Sequence, residues 1–149
     1  MQLTDKDVSA INDVISICKD AEQGFRGAAD SVKNPSLKTL FNEYSSQRAT
    51  FARELESAVE RSGAKPDHPD GTAGKLHSGW MHVKATFTGH SDHEILEETE
   101  RGEDRSVKTY REALGRELPQ DLRSIVRTQF EQVQEAHSNI RSLRDETGH

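Results

Sequence analysis

The sequence has a single cysteine, no long apolar run and no surplus of basic charge, and each absence closes off a class of protein. Cys18 alone cannot form an intramolecular disulfide, and it falls on an apolar helical stripe. A buried structural thiol is expected there, because a reactive one needs an exposed, electropositive setting. No apolar segment approaches the ~20 residues of a membrane span. The formal charge of −6 and pI near 5.6 disfavour a duplex nucleic acid partner and an anionic membrane surface, both of which ask for a basic face. Phosphate loops, nucleophile elbows and Cys/His zinc patterns are missing as motifs, as are solenoid repeats and low-complexity tracts. The polar start, Met1-Gln2-Leu3-Thr4-Asp5-Lys6, reads as no signal peptide, which makes the cytoplasm the expected location.

What is present is helical periodicity. At 149 residues, 32% hydrophobic and 31% charged, the chain suits one all-α domain, 1–149, whose long helices each bury one stripe and show the rest to water. A first helix is predicted over 5–33, capped by Thr4 with Asp7 at the third helical position. Its stripe is Ile11, Ile15, Cys18, Glu22, Phe25, Ala29 and Val32. Asn34-Pro35 ends it and starts a second helix over 35–62, with Leu37, Leu40, Phe41, Tyr44, Gln47, Phe51, Leu55 and Ala58 on one face and Gly63 closing it. So short a connection makes an antiparallel pair. Residues 63–91 read as a long crossover carrying a short helix over 72–87 that packs Trp80 against the bundle. The five histidines of that region, His68, His77, His82, His90 and His93, are expected at solvated positions. Ser91-Asp92-His93-Glu94 is a capping box that opens the next helix, striped by Leu96, Glu100, Glu103, Val107, Tyr110 and Leu114. Gly115 and Pro119 bracket a turn into the last helix, 119–145, striped by Leu122, Val126, Phe130, Val133, His137, Ile140 and Leu143 or Arg144.

Five residues interrupt these stripes near mid-helix: Glu22, Gln47, Glu100, Glu103 and His137. Counting from the turns puts Glu22 and Gln47 each about 12 residues from the first one, so at about 1.5 Å per residue they share a height. Glu103 falls opposite about residue 132 and Glu100 opposite about 135, with Gln134 and His137 within roughly one turn. A buried carboxylate without a partner is costly, so it should meet a metal, a paired charge or a proton. Three outcomes stay open. A metal could bind there. A metal-free network could form, with Gln47 and Arg48 satisfying Glu22 while Arg101 or Arg105 shields Glu103. Or the polar groups could reach solvent. Mid-helix Gly102, Gly24 and Gly27 fit close helix–helix contact or room beside a ligand.

The hairpin–crossover–hairpin order, with a mid-helix Glu on the first and third long helices, resembles the ferritin-like superfamily. The Gly102-Glu103 step, with Tyr110 beyond it, is similar to the third helix of rubrerythrin-type members. The whole chain, including Gly79-Trp80 and Glu100-Arg101-Gly102-Glu103, resembles a bacterial family of uncharacterised four-helix bundles grouped with that superfamily. The resemblance implies a ferritin-like four-helix bundle with metal ligands at Glu22, Glu100 and Glu103. Gln134 and His137 then stand where the last helix offers Glu-x-x-His, and Gln47 or Tyr44 is a weak neighbour. Tyr44-Ser45-Ser46-Gln47 has no Glu-x-x-His, so the implied site is a degenerate one for a single divalent ion such as iron, manganese or zinc. A role in iron or oxidative-stress handling follows from the resemblance alone. The rival readings are a metal-free interaction or scaffold module with a decayed site, and a sensor bundle binding a small ligand near Glu103. A homodimer through a helical face is compatible with either.

Overall fold

The computed structural model describes residues 3–64 and 90–148. Among them are four long helices and no strand: α1 (Asp5–Ser31), α2 (Pro35–Arg61), α3 (Asp92–Leu114) and α4 (Gln120–Thr147). The short helix expected over 72–87, with Trp80, His68, His77 and His82, lies outside the described residues.

The local signals that start the helices do so by the expected bonds. The Thr4 hydroxyl accepts from the Asp7 N–H while the Asp7 carboxylate accepts from the Thr4 N–H. Ser91 and Glu94 form the same reciprocal pair at α3, and Asn34 caps α2 with Pro35 at its first position. Gly63, at φ 89°, ends α2 in the left-handed region that favours glycine. The helix ends differ from expectation by one or two residues. α1 stops at Ser31 because Val32 turns extended, which frees the Lys33 and Asn34 N–H groups to donate to the Asp92 carboxylate at 2.8 and 3.0 Å.

That contact sets one helix direction. The end of α1 meets the start of α3, and at the other end Arg116, just past α3, lies 3.6 Å from Asp7. α1 and α3 are therefore antiparallel, as are α1 with α2 and α3 with α4. Tyr44 to Asn139 and Gln47 to Gln132 give α2 and α4 the same relation. α2 and α3 run in one direction and face each other across the diagonal of the bundle. The apolar core divides in two. Phe25, Phe41, Ile95, Leu96 and Ile140 fill one end, and Ile11, Leu55, Tyr110, Leu122 and Val126 the other. Between the two lies a polar layer.

Candidate functional site

The layer is built from seam positions. Residues seven apart on a bundle helix return to nearly the same face. Phe41, Arg48 and Leu55 make such a row on α2, and Leu96, Glu103 and Tyr110 one on α3; all six are buried. Arg48 and Glu103 thus point into the interior from helices across the diagonal. Their terminal atoms form two parallel bonds, Nη1 to Oε1 at 2.5 Å and Nη2 to Oε2 at 2.6 Å. The side chains are 1% and 0% exposed, so neither shares its charge with water. The Arg48 Nε donates to the Gln47 Oε1 at 3.2 Å, and the guanidinium carbon lies 5.3 Å from the Phe25 ring centroid. Burial alone would pull the guanidinium pKa down. The Glu103 carboxylate opposes this and carries it above the ordinary value.

A second buried chain lies beside the pair. Cys18 Sγ is 3.1 Å from Tyr110 Oη, which donates to Gln129 Oε1 at 2.7 Å. The Gln129 amide donates in turn to the Phe51 carbonyl and the Glu54 carboxylate. Burial pushes the Cys18 thiol up to about 11, against smaller lowering by its bond to Tyr110 and by Arg48. Cys18 is thus the buried structural thiol that its stripe position predicts.

The remaining sequence-predicted residues sit on flanks. Glu22 is half-buried and faces Arg26 on its own helix at 3.5 Å, with 23% of its side chain exposed. Its height opposite α2 is as counted, since Ser45 donates to its carbonyl at 2.8 Å, but its carboxylate turns outward. Gln47 bridges to Gln132 at the surface. Glu100 is covered by two α4 arginines, Arg141 at 3.2 Å and Arg144 at 2.5 Å. His137 Nε2 lies 2.6 Å from the exposed Asp104 carboxylate, and Gln134 lines the same α3–α4 surface depression. Arg48 satisfies Glu103 rather than Glu22, and Arg101 pairs with Glu98. His90 and His93 are partly exposed beside Glu94 and Glu97.

Two groupings result, and neither gathers all six predicted ligands. Glu103 stands in the interior with Arg48. Glu100, Asp104 and His137 form a cluster at the α3–α4 seam, with one ligand atom from each lying within 4.8 Å of the others. Asp104 is the residue that sequence reasoning passed over, and Arg48 is the one it assigned to Glu22 instead of Glu103. Asp104 is one helical turn beyond Glu100, the spacing at which α3 shows two carboxylates on one side.

The interior does not fit a ferritin-like metal centre. Among the described residues its one fully enclosed carboxylate is Glu103, and both of its oxygens are held by a guanidinium that stays cationic. Glu22 faces the other way, and Gln47 brings an amide where a carboxylate would be needed.

In comparison with known proteins, the model of a family described as "Domain of unknown function (DUF2383)" matches residues 6–116. The matched stretch holds α1, α2 and α3, and so both Arg48 and Glu103, and it stops short of α4. No curated protein matches the chain.

Proposed function

The chain belongs to the DUF2383 family, and on that footing we propose that it is a non-enzymatic helical binding module in which an ion pair stands in place of a ferritin-like metal centre. The carrying observation is the bidentate Arg48–Glu103 pair at mid-bundle. A bundle metal centre gathers carboxylates whose charge the ion neutralises. Here the enclosed carboxylate already has its counter-charge, and an incoming cation would meet a second cation within bonding distance of the same oxygens. The shared direction of α2 and α3 supports a ferritin-like order of two hairpins joined by a crossover.

The test is elemental analysis of protein produced with added iron and manganese, then dialysed. The reading expects far less than one ion per chain and a melting temperature unchanged by chelator. One retained ion per chain, lost in Glu103→Gln, overturns it.

A second reading rests on Glu100, Asp104 and His137. Carboxylates and an imidazole so close together are a ligand set for iron, manganese or zinc, and a role in iron or oxidative-stress handling would have to sit there. Arg141 and Arg144, already on Glu100, weigh against it. An ion lost in Asp104→Ala and His137→Ala but kept in Glu103→Gln would favour this reading.

A further inference from the structure

α2 and α4 touch least of the four neighbouring helix pairs. Between them a groove of about 630 Å³ opens to solvent. Its floor is Phe51 and Ile125. Its walls are hydroxyl and amide groups, among them Thr50, Gln129 and Gln132, and its two ionisable lining residues are both acidic, Glu43 and Glu54. Gln129 is 2% exposed, fixed from behind by Tyr110, and reaches the Glu54 carboxylate at 3.0 Å. Gln47, held by Arg48, spans to Gln132. Both buried polar chains therefore end on this groove and hold its walls in place.

Glu43 and Glu54 are eleven positions apart on one helix, close to three full turns, so they lie on the same face. At about 1.5 Å per residue their backbones are roughly 16 Å apart. Two carboxylates carried on one face across that backbone span, with an apolar floor between them, match a long chain with a cation at each end. Two cations outside the lining touch it from behind: Arg53 donates to the Thr50 hydroxyl and Arg48 to the Gln47 amide oxygen, each at 3.2 Å.

We propose that the α2–α4 groove binds a linear aliphatic polyamine, with its end ammoniums at Glu43 and Glu54 and its methylenes over Phe51 and Ile125. The proposal rests on the binding-module reading and names its ligand class. Stretched, a four-nitrogen polyamine has about the length of that backbone span, and a short monoamine does not. The inner nitrogens of the polyamine are left to the other hydroxyls of the lining, Ser46, Ser124 and Thr128.

The experiment is calorimetric titration of the full chain with spermine at about 150 mM salt, where diffuse surface attraction is screened. The expected result is one saturable site with Kd on the order of 10–100 µM. Glu43→Gln and Glu54→Gln should each weaken binding about five-fold, the range of a partly exposed ion pair. Glu60→Gln, exposed on α2 outside the groove, should leave it unchanged, as should an equal concentration of butylamine or magnesium added as competitor. Absence of a saturable site, equal weakening by Glu60→Gln, or equal competition by magnesium would each overturn the proposal. A core ion found by elemental analysis would sink the reading above while leaving a positive spermine result intact. Failure of spermine to bind sinks the groove alone.

Discussion

Cys18 and Tyr110, 92 residues apart in the chain, meet as side chains 3.1 Å apart in the wall of the polar layer. The contact joins α1 to α3, and Tyr110 passes it on to Gln129 of α4. The thiol, with its pKa pushed up to about 11 by burial, is thiolate in only about one molecule per thousand at pH 8. Native protein should therefore resist iodoacetamide at pH 8, and labelling followed by mass spectrometry should track unfolding in urea. Tyr110→Phe should cost about 1–2 kcal/mol in the same denaturant, because the Gln129 carbonyl then loses its donor.

Asp20 has a carboxylate oxygen shut off from solvent with no hydrogen-bond partner among the described residues. Burial pushes its carboxyl from the usual 3.8 to about 6. Between those values the folded chain holds a proton that the unfolded chain releases, so this group's contribution is full below about 4 and is lost as pH rises through about 6. Asp20→Asn should be more stable than the parent at pH 7, by roughly 1 kcal/mol once solvent screening of a half-buried group is allowed for. The gap should close at pH 4. Thermal melts at the two pH values check it.

Asp92 ties the first interhelical turn to the start of α3 by accepting from the Lys33 and Asn34 N–H groups. Asp92→Ala should lower stability by about 1–2 kcal/mol, and Asp92→Asn, which keeps one acceptor oxygen, by less. The urea midpoint should fall without change in slope, since the surface exposed on unfolding is the same.

The helices could be read from the sequence because their caps are local. Thr4 with Asp7, Asn34 with Pro35, and Ser91 with Glu94 each act within a few residues, and the structure shows each one bonded. The polar layer was half readable. Glu103 belongs to the row Leu96, Glu103, Tyr110, and its burial follows from that spacing. Arg48 belongs equally to Phe41, Arg48, Leu55, but its neighbour Gln47 also fits a three-and-four pattern running from Tyr44 to Phe51. A one-residue change of phase turns a helix by about 100°, enough to exchange flank for seam. The same ambiguity placed Glu22 on the stripe where Ala21 is buried. Height was countable from the turns; facing direction was not, because it depends on which two neighbours each helix packs against.

The directest test of the account is a double-mutant cycle between Arg48 and Glu103, using Arg48→Met, Glu103→Leu and the pair together, read by urea unfolding in chelator. Each single change leaves a buried charge alone and should cost about 3–5 kcal/mol. The double should recover much of that loss, giving a coupling of about 2 kcal/mol or more. Single costs that add to within about 0.5 kcal/mol would contradict the account, because Arg48 would then not be the charge that Glu103 is folded around.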